Sequence, residues 1–182
     1  NVIKVGSYTF SDCESLTSLF GFSNVKEVGE YAFAKDAKLK YSLPSTLERI
    51  GEGAFAFCEG LNSISIGANL NTIGDIVFAG CTGLQSITVS NANTSYTTDG
   101  HILYTKDMTK MITCIANGET YSVVIPDTVD SISEYAFYNC KSLQSIVLPS
   151  TLSRIEDHMF FGCAGLRSIS IPQTVNYIGE YA

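Results

Sequence analysis

Six cysteines and two histidines are the residues of this 182-residue chain best suited to chemistry. They could serve as nucleophiles, redox pairs or metal ligands. A nucleophilic thiol needs a base beside it, and a zinc site needs closely spaced ligands such as Cys-x-x-Cys. No Cys-x-x-Cys occurs, and His101 and His158 lie far apart in sequence, so no zincin-type pair or triad is supported. Cys114 is the one thiol that His101 could approach across a hairpin; the competing and preferred reading packs it as a strand residue. The other five, Cys13, Cys58, Cys81, Cys140 and Cys163, share one phase of a repeat. Coils stacked at ~4.8 Å would bring such a column within Cα range of a disulfide. Parallel inward side chains, however, keep their Cβ atoms about a coil spacing apart, wider than the ~3.8 Å usual in a disulfide. Reduced core thiols are therefore expected. Glu30, Glu52, Asp75, Glu134, Asp157 and Glu180 recur near one turn and fit a solvated polar face. No Gly-x-Gly-x-x-Gly or Walker-type loop is present. The sequence thus assigns no catalytic, metal-ligating or cofactor-binding residue, and no enzyme activity.

The scaffold behind these residues is a 23-residue beat that starts at Val5, Val28, Ile50, Ile73, Ile132, Ile155 and Ile178. One step is 22 residues, and the step from Ile73 to Ile132 is 59, or 36 more than one period. Phe10, Phe33, Phe55, Phe78, Phe137 and Phe160 share one phase; Leu16, Leu39, Leu61, Leu84, Leu143 and Leu166 share another. A fixed period of this length marks a solenoid, in which each unit buries its apolar face against its neighbours. The segment Leu-x-Ser-Ile-x-Ile predicts a short parallel strand with Leu and both Ile inward. Pro44, Pro126, Pro149 and Pro172 end such strands, because proline cannot donate to a ladder. The Ala-Phe-x-x-Cys segment predicts a short helical or 3₁₀ turn on the opposite wall.

The string Ile-Gly-x-x-Ala-Phe-x-x-Cys-x-x-Leu-x-Ser-Ile-x-Ile-Pro resembles the BspA-like leucine-rich repeat family over nearly the whole chain. Asp99–Tyr104 followed by Met111–Cys114 is similar to that family's hairpin module. Asp36 in place of Cys, Gly21 at an inward phase and a missing residue near Lys40 depart from the pattern. The resemblance implies a leucine-rich-repeat solenoid, α/β or a β-rich right-handed superhelix. It also implies adhesion to a host or extracellular-matrix protein, from a secreted or cell-surface location.

A single domain over residues 1–182 is expected, with a hairpin insertion over 91–118. Tyr96–Gly100 reads as a turn, His101–Thr105 and Lys110–Ile115 as strands around a turn at Lys106–Thr109, and Ala116–Glu119 as another turn. The insertion is either a contact loop, with Tyr96, His101, Tyr104 and Tyr121 as candidates, or a spacer extending the sheet edge. The strand face offers residues the beat does not claim: Thr17, Phe20, Lys40, Asn62, Ser65, Gln85, Thr88, Gln144, Val147, Arg167 and Ser170. Asn93-Thr94-Ser95 is a glycosylation sequon expected at the exposed start of the insertion. A net charge of −7 argues against nucleic acid and anionic membranes, and no apolar run is long enough to span a bilayer. The chain opens at Asn1 and stops one residue before the next beat phenylalanine, so a fragment is expected whose uncapped ends could self-associate. The reading is a non-catalytic protein-binding module; a structural spacer and a carbohydrate-binding module, using Tyr96, Tyr104 and Tyr121 as platforms, are the alternatives.

Overall fold

A computed structural model describes residues 2–115 and 121–182. The chain winds into a β-solenoid of about seven coils, each of which carries a two-residue strand at the start of its beat. These are β1 (Lys4–Val5), β2 (Glu27–Val28), β3 (Arg49–Ile50), β5 (Thr72–Ile73), β11 (Ser131–Ile132), β13 (Arg154–Ile155) and β15 (Tyr177–Ile178). β1, β2, β3 and β5 form one parallel sheet, with Val5, Val28, Ile50 and Ile73 in register. Sequence reasoning missed this second strand of each coil. The longer strands it expected are β4 (Ser63–Ile66), β6 (Ser86–Val89), β10 (Tyr121–Val124), β12 (Leu143–Val147) and β14 (Ser168–Ser170). β4 pairs with β6, and β10, β12 and β14 form a second parallel group. The first two coils form no such strand. Gly21 and the missing residue near Lys40 fall there, where they break the inward alternation a ladder needs. Each proline carbonyl accepts the N–H three residues on, as in Pro44 to Leu47 and Pro149 to Leu152, turning the chain from one sheet toward the other.

The helical or 3₁₀ wall turn expected from the sequence is not there: among the described residues no helix forms. Two left-handed residues per coil interrupt any right-handed run, such as Tyr31 (φ 51°) with Lys35 (φ 67°) and Tyr135 (φ 57°) with Asn139 (φ 56°). Alternate N–H groups then point along the stack instead of along the chain. Tyr31, Phe33 and Lys35 donate to the Glu52, Ala54 and Ala56 carbonyls of the next coil at 2.7–2.9 Å. The same ladder recurs at Gly53, Phe55 and Phe57. Coils followed by another coil thereby satisfy wall donors that a helix would have satisfied internally. Glycine is required where the chain turns close to its neighbour: a Cβ at Gly51 would lie 2.6 Å from the Glu30 nitrogen.

The Phe column is the spine of the core. Phe10, Phe33, Phe55 and Phe78 stack in sequence with ring centroids 5.3, 5.4 and 6.2 Å apart, and Phe137 and Phe160 stack at 5.3 Å. The column cysteines are unpaired, and four of the five serve the same spine; Cys13, expected in the core, is exposed because it lies in the first coil. The thiols of Cys58, Cys81 and Cys163 donate to the carbonyls of Phe33, Phe55 and Phe137 at 2.9–3.0 Å. Burial pushes the Cys58 thiol up to about 12 and the Cys163 thiol to about 11, so both stay protonated donors at neutral pH.

The insertion divides this core in two. β7 (Tyr96–Thr98), β8 (Ile102–Thr105) and β9 (Lys110–Cys114) form an antiparallel meander. Tyr96–Thr98, expected as turn, is thus a strand; the turn is Asp99-Gly100, where Asp99 Oδ1 accepts the N–H groups of His101 and Ile102. The expected turn at Ala116–Glu119 lies outside the described residues. β9 then pairs in parallel with β11, setting Met111 opposite Ile132 in the column that starts each beat. β8 alternates between two cores: Leu103 packs with the N-terminal cluster, Ile102 and Tyr104 with the C-terminal one. The insertion is therefore a partition between the two cores that also extends the β11 sheet through β9 and β8 to β7.

Candidate binding surface

The strand face arises from period-2 alternation. In β4, Ile64 and Ile66 are buried while Ser63 and Ser65 face solvent. Register fixes which exposed residues become neighbours: Ser65 faces Thr88, and Val124, Val147 and Ser170 follow one another across β10, β12 and β14. Hydroxyls link the rungs, Thr88 to Ser65 at 3.3 Å and Ser145 to Ser122 at 2.8 Å. The candidates Thr17 and Lys40, Asn62 and Gln85, and Gln144 and Arg167 are joined in pairs by backbone hydrogen bonds from one coil to the next. All eleven strand-face candidates are exposed or, for Gln144, half-buried.

Two features stand out on this mostly polar face. Phe20 is 87% exposed at its N-terminal end. Val124 and Val147, adjacent in register, are 71% and 53% exposed, where Ser65, Thr88 and Ser170 hold the same row elsewhere. Sequence reasoning found Val147 and missed Val124 and Ser122. The signal was available, because Pro126 sets the phase of Ser122-Val123-Val124-Ile125 against Ser145-Ile146-Val147-Leu148.

The insertion candidates separate into two kinds. Tyr96 and Tyr104 are 6% and 3% exposed, so they drop out as contact residues and as sugar platforms. Tyr96 instead accepts the Ile73 N–H on its hydroxyl at 2.7 Å, tying the meander to β5. His101 is exposed and stacks on Tyr121, ring centroids 6.2 Å apart. The two residues line a cleft of about 270 Å³ with Asp99, Ser122 and Val124. The fold thus brings His101 and Tyr121 to the edge of the strand face, next to the Val124–Val147 pair.

The thiol at Cys114 is buried and meets the Tyr121 hydroxyl at 3.3 Å and the Ile115 carbonyl at 3.6 Å. Tyr121 thus touches the thiol through its hydroxyl and His101 through its ring face. Burial, followed by the Cys114 and Cys140 thiols, pushes the Tyr121 hydroxyl far up, keeping it neutral. His158 is one ring of a stack, 4.7 Å from Tyr135 and 5.2 Å from Tyr181. Neither histidine is arranged as a thiol's base.

Asn93 departs from its expected exposure at the sequon. It is 2% exposed; its Nδ2 donates to the Gly67 and Leu70 carbonyls, and its Oδ1 accepts the N–H groups of Ser95 and Tyr96. All its polar capacity is used in starting the insertion, so no atom is free for a glycan. Asn93→Ala leaves those buried groups unpaired and is expected to cost about 3 kcal/mol, read as a lowered urea midpoint.

The pattern of the BspA type leucine-rich repeat region matches residues 1–101 and 113–182, in six copies. No curated protein sequence matches. A leucine-rich repeat protein from Eubacterium ventriosum has 26% identity and a TM-score of 0.82, over 97% of this chain and 53% of its own. The pneumococcal vaccine antigen PcpA shares the fold at 20% identity and a TM-score of 0.68, over 98% of this chain and 64% of its own. A leucine-rich cell surface protein from Faecalibacterium prausnitzii does so at 23% identity and a TM-score of 0.58, over 97% and 66%. The chain therefore spans between half and two-thirds of the length of these structures.

Proposed function

The chain belongs to the BspA-type leucine-rich repeat family, and from that premise we propose that it is a non-catalytic protein-binding module of a secreted or surface-attached protein. It engages its partner through the strand face, centred where β10 and β12 meet the insertion. The observation that carries this is the exposed Val124–Val147 pair beside the His101–Tyr121 stack. Adjacent apolar side chains on an otherwise polar sheet mark an interaction site more than a solvated face. Aromatic residues with backing strands also suit a binding centre, since their side chains are already fixed. The repeat proteins it resembles, one of them a cell surface protein, support the location. An extracellular-matrix protein is the partner class this reading favours.

Surface plasmon resonance against a panel of purified matrix proteins tests it. The wild-type chain should bind at least one of them saturably. The double variant Val124→Ser, Val147→Ser, which gives this row the hydroxyls other coils carry, should bind about tenfold more weakly or worse. Undiminished binding by the variant would move the site elsewhere, and silence across the panel would favour a spacer role.

A further inference from the structure

A second surface lies on the wall, away from the strand face. Glu30, Glu52, Asp75, Glu134, Asp157 and Glu180 each immediately precede the left-handed residue that opens a wall turn, so stacking carries acidic groups up successive coils. Among the described residues a cation answers one of them: Lys110 Nζ, delivered by the insertion, sits 2.6 Å from Asp75. Nearby, Arg154 Nε sits 3.0 Å from Glu156. Among the described residues Glu134 has no ion-pair partner. Partial burial, then the carboxylates of Asp157, Glu156, Asp75 and Glu52, holds its carboxyl above the usual range.

Glu134 borders a cleft of about 340 Å³ that Glu52, Asp75, Lys110, Ser133 and Glu156 also line. Ser133 is only 6% exposed, and its hydroxyl has no hydrogen-bond partner. A buried hydroxyl left in that state costs about 1–3 kcal/mol, a cost that an incoming donor would remove. Ser133 stands at the glycine phase of the beat. At Gly29 and Gly74 a Cβ would come within 2.5 Å of the preceding coil's backbone. Before Ser133 the neighbouring rung is the extended strand β9, paired to β11 through Met111 and Ile132, so a side chain fits there.

The arrangement also selects the ligand. Among the described residues no three His, Cys, Asp or Glu side chains converge to hold a metal ion. The negative charge is instead spread along the stack, and a second cleft of about 380 Å³ continues it, sharing Glu52 and Asp75. Lys110 already places one ammonium in this setting. We propose that the wall cleft binds a lysine- or arginine-bearing peptide segment of a protein partner, one cationic head taking Glu134 and donating to the Ser133 hydroxyl.

Fluorescence anisotropy with fluorescein-labelled hexalysine, titrated with the full chain at low ionic strength, tests this. Binding should be saturable and weaken roughly tenfold in Glu134→Gln and several-fold in Ser133→Ala. Glu14→Gln, the same charge change at an exposed position of the first coil, should leave it within about twofold. The Val124→Ser, Val147→Ser variant should bind the peptide normally, which separates this surface from the strand face. Equal weakening by Glu134→Gln and Glu14→Gln would reduce the effect to the net charge of −7 and overturn the proposal. Absence of saturable binding, or displacement of the peptide by calcium at constant ionic strength, would overturn it too.

Discussion

Phe55→Ala is expected to lower the unfolding free energy by about 4 kcal/mol. The ring is fully buried and lies between Phe33 at 5.4 Å and Phe78 at 6.2 Å, with Tyr41 against it at 6.2 Å. Truncation removes its transfer free energy and leaves a cavity in the middle of a stack. The neighbours cannot collapse into it, because the wall ladder fixes each coil: Phe55 itself donates to Val77 and Phe33 donates to Ala54. Losing the ring also removes three aromatic contacts of about 0.5–1.5 kcal/mol each. Urea unfolding followed by circular dichroism should show one transition, shifted to lower urea at unchanged slope. Phe20→Ala is the contrast: at 87% exposed, its loss should change stability by no more than about 0.5 kcal/mol. Comparable losses at the two positions would break the assignment of the Phe column to the core.

Asp36→Cys is expected to gain up to about 3 kcal/mol in stability relative to the wild-type chain between pH 3.5 and pH 7.5. Asp36 occupies the cysteine phase with no exposure. One carboxyl oxygen accepts the Cys13 N–H at 2.8 Å; the other has no partner. Elsewhere in this column a thiol donates to a Phe carbonyl, which a carboxylate cannot do. Burial, then the nearby Asp12 carboxylate, raises the Asp36 carboxyl from 3.8 to about 6, against the Cys13 hydrogen bond that lowers it. A folded-state value above the unfolded one means the folded chain holds the proton longer. The stability that proton holding contributes is full below about pH 4 and is lost as pH rises through about 6. The advantage of Asp36→Cys should therefore open between those limits and stay level above them. A variant advantage independent of pH would show that Asp36 is not buried as a strained carboxylate.

The beat made the coils, the Phe and Cys columns and the exposed alternation of the longer strands legible before any coordinates. It did so because each column repeats one demand on volume and direction. The wall turn was not legible. Ala-Phe-x-x-Cys has helical spacing, and only the coil-to-coil hydrogen bonds, invisible in one repeat, favour left-handed residues at Tyr31 and Lys35 over a helix. The insertion misled in another way. Ile102-Leu103-Tyr104 looks like a surface hairpin strand, but both of its faces are buried, because the solenoid places a separate core on each side. For the same reason Tyr96 and Tyr104 left the candidate site while the exposed His101 and the half-buried Tyr121 stayed in it. Asp36 was legible as a departure from the pattern, though its consequence depended on the depth at which the column runs.

The proposed binding surface is the strand face beside the insertion, on residues the repeat leaves free. Covalent side-chain footprinting of the chain, with and without a saturating matrix protein that it binds, tests this most directly. The predicted result is protection of His101, Val124 and Val147, with Phe161 and Tyr181 on the wall labelled equally in both states. Protection confined to the wall residues, or an unchanged footprint at Val124 and Val147, would contradict it.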